Sequence, residues 1–113
     1  MSMTRREIID YCLTFPDAYE DYPFDEETPF LRRRSNQRGF ALILNVRGQE
    51  CVNLKCQPDR AELYRLVYAD VTPGFHMNKT HWNTVRIGGD VPDDELCSMI
   101  AHSYELTATY RHR

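Results

Sequence analysis

Two apolar runs, Phe40–Arg47 and Glu50–Cys56, flank the turn residue Gly48 and constrain this chain more than any other feature. The second run alternates, with Val52, Leu54 and Cys56 on one face and Cys51, Asn53 and Lys55 on the other. A tight hairpin between two strands is the expected result. Around it the pattern changes period. Thr4 and Glu7 fit a capping box, and Ile8, Ile9, Cys12, Leu13 and Phe15 form a helical stripe that Pro16 ends. Gln57-Pro58-Asp59 opens a second helix with Ala61, Tyr64, Val67 and Tyr68 at helical spacing, and Pro92-Asp93-Asp94-Glu95 opens a third. The third buries Leu96, Met99, Ile100, Ser103, Leu106 and Tyr110.

Three further strands are expected: Pro29–Arg34, Phe75–Asn78 and Trp82–Ile87, the last two joined by a tight turn at Lys79-Thr80-His81. Asp17–Thr28 reads as a loop anchored by Tyr19, Tyr22, Pro23 and Phe24. The order is therefore α-β-β-β-α-β-β-α. Such hairpin-rich chains build an α+β, two-layer sandwich whose mainly antiparallel sheet carries its helices on one face. At 113 residues, a single domain spanning 1–113 is expected.

Composition narrows the function classes. Hydrophobic residues make up 42% and charged residues 27%, an ordinary globular balance, and no apolar run approaches the ~20 residues of a membrane span. The N-terminus is too polar for a signal peptide, so the expectation is a cytoplasmic protein with Cys12, Cys51, Cys56 and Cys97 as reduced thiols. The formal net charge of -3 argues against coating nucleic acid non-specifically. The charges are segregated, however: six acids and no base lie between Asp17 and Glu27, followed by Arg32, Arg33, Arg34 and Arg38.

The stretch from Thr72 to Val85 holds the only tryptophan, two histidines and two asparagines. Residues this polar are costly to bury without partners, so something is read or held here. Together with Tyr19-Glu20-Asp21-Tyr22-Pro23-Phe24, Phe40-Ala41-Leu42-Ile43, Val52-Asn53-Leu54-Lys55-Cys56 and His102-Ser103-Tyr104, it resembles the MmcQ/YjbR family over nearly the whole chain. The string His76-Met77-Asn78-Lys79 with His81-Trp82-Asn83-Thr84 is the most specific part. The resemblance implies a bacterial protein of a two-layer fold like that of secretion chaperones, and a DNA-binding role. Phe75 stands where tyrosine is usual and Thr80 where a second lysine is usual. The latter removes a positive charge from the turn that would approach phosphate.

The first functional expectation is thus a DNA-binding accessory protein. Its candidate contacts are Lys79, His81, Trp82, Arg86 and Lys55 on the exposed sheet face, with Arg32, Arg34 and Arg38 as a second grip. His76, Asn78 and Asn83 are assigned to holding the turns. The arginines have an alternative use, pairing with the acidic segment beside them. The competing functional expectation is a protein- or peptide-binding module on the same open sheet. A zinc site from His76, His81 and Cys51 or Cys56 matches no ligand spacing, and Cys56 is expected in the core with Cys51 half-exposed. No nucleophile, phosphate-loop or metalloprotease motif is present, so neither an enzyme nor a cofactor is expected.

Overall fold

The computed structural model describes residues 2–108. Its elements are α1 (Arg5–Leu13), β1 (Ala18–Asp21), β2 (Phe30–Arg33), β3 (Gly39–Val46), β4 (Gln49–Lys55), α2 (Pro58–Val67), β5 (Val71–Pro73), β6 (Trp82–Arg86) and α3 (Asp93–Leu106). The sheet has six strands in the order β1-β2-β3-β4-β6-β5. Every pairing is antiparallel. The three helices cover one face, giving the two-layer α+β arrangement, with a core of Ile8, Ile9, Leu31, Ile43, Val52, Leu54, Val85, Leu96, Met99 and Ile100.

The local signals act as expected at the helix starts. Thr4 accepts from the Glu7 amide while the Glu7 side chain accepts from the Thr4 amide, a complete capping box. Pro58 sits in the first turn of α2 and Pro92 caps α3. Tyr110 lies outside the described residues. α2 is the least embedded helix: of its residues only Ala61 is fully buried, and Val67, one of the residues at helical spacing, is exposed together with Leu63 and Leu66.

Three sequence expectations are corrected. Ala18–Asp21 is a strand, not part of a loop, so the order gains one element. Its acids misled the reading, because Asp21 is neutralised by Arg32 at 2.8 Å and Glu20 lies 3.8 Å from Arg6. Phe75–Asn78 is not a strand. Pro73 ends β5, and His76 adopts φ 59°, which no strand tolerates. The connection to β6 is therefore the longer segment 74–81. Tyr22 and Phe24, read as anchors, are exposed.

A bulge in β3 shapes the core. Leu31 pairs with Ala41 and Arg32 with Gly39, which leaves Phe40 without an opposite residue. The extra residue turns the Phe40 ring toward the helices, against Phe15 and Tyr104. Gly39 is obligatory here, since a Cβ would lie 1.9 Å from the Phe30 ring on the opposite face. Ser103 on α3 ties the layers together: its hydroxyl donates to the Phe40 carbonyl at 2.6 Å and accepts the Lys55 amide at 2.8 Å.

The neighbouring His102 accepts the Gln57 amide through Nε2 at 3.3 Å, at the start of α2. Burial, then the Arg60 guanidinium, pushes its pKa below the ordinary 6.5. A base whose folded pKa is lowered binds fewer protons when folded than when unfolded. Its contribution is therefore complete above about pH 6.5 and is lost as pH falls through the lower folded value. Thermal melts of the protein and of His102→Gln across pH 5–8 should show wild-type stability falling more steeply on acidification. Parallel curves would remove His102 from this account.

Candidate functional site on the open face of the sheet

Alternation on the central strands defines the face away from the helices. Lys55 lies opposite Trp82, Asn53 opposite Thr84 and Cys51 opposite Arg86. β3 continues the rows, with Leu42 opposite Asn53 and Leu44 opposite Cys51. This face is not bare. Asn53 is fully buried (0% exposed) because the 74–81 segment folds over it. Asn53 Nδ2 donates to the Phe75 carbonyl at 3.0 Å, the Thr84 hydroxyl donates to Asn53 Oδ1, and the Phe75 amide donates back to Thr84 Oγ1 at 2.8 Å. A closed three-membered network thus pins the segment to the sheet.

The segment also holds itself. Asn78 Oδ1 accepts the amides of Thr80 and His81, a turn-closing pattern of asparagine. The Lys79 ammonium donates to the carbonyls of Gly74 at 2.5 Å and Met77 at 3.3 Å, and Arg65 of α2 donates to the Lys79 carbonyl at 2.8 Å. Gly74 is required because a Cβ would lie 2.7 Å from that of Trp82. His76 is exposed, its ring 4.1 Å from that of Phe75. Asn83 belongs to the opposite face: it is buried against α2, donating to the Ala61 carbonyl at 3.2 Å and accepting from Arg65 Nε at 2.8 Å.

The candidate cations are unequally available. Arg32 pairs with Asp21 and donates to the Gln37 carbonyl at 2.9 Å. The Arg34 guanidinium sits 5.0 Å from the Tyr19 ring centre, and Arg86 is 3.9 Å from Asp70. Arg33 turns to the helix side, 3.7 Å over the Tyr104 ring. Arg38 and His81 are exposed, and Lys55 and Trp82 are half-buried side by side. The structure thus brings Lys55, His81 and Trp82 to one end of the open face, and the arginine turn, which leads into β3, lies at that same end of the strands toward the β1 side of the sheet. Ion pairing within the acidic segment is the use seen at Arg32.

Between the 74–81 segment and the acidic 22–28 loop runs a groove that the sequence reading did not identify. It encloses about 300 Å³, with Leu42 and Leu44 as its floor, Phe24, Asp25 and Thr28 on one wall and His76 and Met77 on the other. Phe24 is 65% exposed. The volume lies at the lower end of the range for ligand pockets, enough for a few side chains. A signal for it existed: Phe40–Leu44 is apolar at every position, so one apolar row had to face away from the helices. The Asp25 carboxyl lies below its usual range because it accepts the Glu27 amide and the Thr28 hydroxyl, and it is anionic at neutral pH.

Burial governs three of the four thiols. Cys51, expected half-exposed, is buried beneath the open face, and burial raises its pKa. Burial likewise lifts Cys56 to about 11 and Cys12 to about 12. Among the described residues no cluster of three or more His, Cys, Asp or Glu side chains could hold a metal ion, and no helix is long and apolar enough to cross a membrane.

Comparison with known proteins agrees with this fold. A crystal structure of a Pseudomonas syringae protein superposes with a TM-score of 0.84 at 29% identity, covering 94% of this chain and all (100%) of that one. A Deinococcus radiodurans protein gives 0.81 at 32% identity over 93% of this chain and 78% of its own. The Escherichia coli K12 protein YjbR is 33% identical over 103 residues, 91% of this chain and 86% of its own length. Bacillus subtilis YyaQ is 28% identical over 117 residues, 93% and 98% of the two chains. The YjbR family model matches residues 13–106, and with these relatives it makes the chain a member of the YjbR family.

Proposed function

We propose that this YjbR-family protein is a non-catalytic binding module whose working surface is the groove on the open face of its sheet, and that its ligand is an extended segment of a protein partner. The observation that carries the reading is the apolar floor of Leu42 and Leu44 held between two pinned loops, with the exposed Phe24 at its rim. A folded domain keeps such a surface uncovered at a cost, and apolar grooves with a few polar groups are the usual form of a recognition site. The charge pattern favours a protein ligand over a phosphate backbone: Arg32 and Lys79 are already committed inside the fold, and Asp25 lines the groove.

A random-peptide display selection on the folded protein, followed by affinity measurement on Leu44→Glu, tests this. Leu44 is only half-buried, so the substitution should leave the fold intact. Selected peptides should lose at least about tenfold in affinity, roughly 1.4 kcal/mol. Peptides that bind Leu44→Glu unchanged would exclude the groove.

DNA binding is the second reading, and one observation favours it. Trp82 and Lys55 are directly opposed beside His81, an aromatic ring with adjacent cationic and titratable groups. On this reading Trp82→Ala should cost roughly 1–3 kcal/mol of single-strand affinity with little change in melting temperature. Binding should also weaken with salt by about 0.7 log units per phosphate contact on a single strand. A peptide site floored by leucines should respond to salt far less steeply.

A further inference from the structure

Beside the groove lies a second depression of about 270 Å³ lined by Arg47, Cys51, Asp70, Thr84 and Arg86. The two meet at one row of the sheet, because Leu44 lies opposite Cys51 and Cys51 opposite Arg86 on successive strands. Their charges are opposite. The first holds the Asp25 carboxylate, with the exposed Glu26 beside it in the loop. The second holds two arginines and one acid, and Asp70 is already engaged by the Asp90 amide at 2.8 Å. Arg47 is exposed, projecting from a turn position with φ 52°, and the Arg86 guanidinium approaches Asp70 at 3.9 Å, its one ion pair among the described residues.

We propose that this track selects a mixed-charge partner segment: a lysine or arginine that pairs with Asp25, two or three apolar residues over Leu42, Leu44 and Cys51, and an aspartate or glutamate that pairs with Arg47 and Arg86. The spacing follows from the sheet. Neighbouring strands are about 4.8 Å apart, so Leu44 to Arg86 spans about 10 Å, which an extended chain covers in about three residues. The inference rests on the groove being the binding surface.

Three fluorescent peptides with the same three-residue apolar centre and identical Gly-Ser flanks provide the test, one bounded by lysine and glutamate, one by two lysines, one by two glutamates. At low salt the mixed peptide should bind about tenfold tighter than either other. Asp25→Lys should shift the preference to the double-glutamate peptide and Arg47→Glu to the double-lysine one. Both positions are exposed, and a melting curve for each variant checks that the fold is retained. Equal affinity of all three peptides, each lost in Leu44→Glu, would overturn the charge selection while leaving the groove in place. Failure of all three to bind, or binding indifferent to Leu44→Glu, would overturn the groove reading as well.

Discussion

Truncation of Phe40 to alanine should cost about 3–5 kcal/mol of folding stability. Phe40 is fully buried (0% exposed), and its ring meets Phe15 edge-on at 6.3 Å and Tyr104 at 5.2 Å between centres. It reaches them only because the β3 bulge turns it out of the row of Leu42 and Leu44. The site cannot collapse easily around a void, since the Phe40 carbonyl is fixed by Ser103 and the adjacent Gly39 is overlaid by the Phe30 ring. Urea denaturation should show a lower midpoint with an unchanged slope. A loss under about 1 kcal/mol would mean that the bulge does not direct Phe40 into the core.

Replacement of Asn53 by leucine should cost about 1–3 kcal/mol although the side chains are similar in size. The new side chain would leave the Phe75 carbonyl without its donor and the Thr84 hydroxyl without its acceptor, both at part-buried or buried positions. An unmade hydrogen bond at a buried group is penalised more than the made one stabilises. The loss should be local in its consequences. Amide exchange should accelerate in the 74–81 segment more than in α1 or α3, and the His76–Met77 wall of the groove should loosen with it. Thr84→Val should reproduce part of the effect, and the double variant should fall short of the sum because the two residues share one network. Unchanged exchange in the 74–81 segment would show that the network does not hold the loop.

These two residues also mark what the sequence revealed and what it did not. Strict alternation placed Asn53 on the face away from the helices correctly, and the helix starts at Thr4, Pro58 and Pro92 were legible from capping chemistry alone. Alternation could not show that Asn53 would be buried there, because its cover is a non-local loop whose position depends on Phe75 and Thr84. The loop itself was misread: Phe75–Asn78 has strand-like residues, but a left-handed His76 and the Asn78 turn exclude a strand, and neither is visible in composition. β1 was missed for the opposite reason, its acids being tolerable in a strand only once Arg32 and Arg6 lie beside them. Of the candidate site residues, alternation could put Lys55 and Trp82 on one face, but their direct opposition required the register. The pairing of Arg32 with Asp21 follows the alternative use expected for the arginines, whereas the engagement of Lys79 by its own loop required the fold. Leu42 and Leu44 were hidden by a run apolar at every position, which reads as core whichever way each side chain points.

Backbone amide chemical shifts, recorded while the lysine–glutamate peptide is titrated into the protein, test the central claim most directly. The groove predicts perturbations in the 24–28 loop, at Leu42 to Leu44, at Cys51, at His76 and Met77, and at Arg86, with the exposed side of α2 around Leu63 and Leu66 unmoved. Perturbations confined to α2, or silence at those groove amides while single-stranded DNA shifts Lys55, His81 and Trp82, would contradict it.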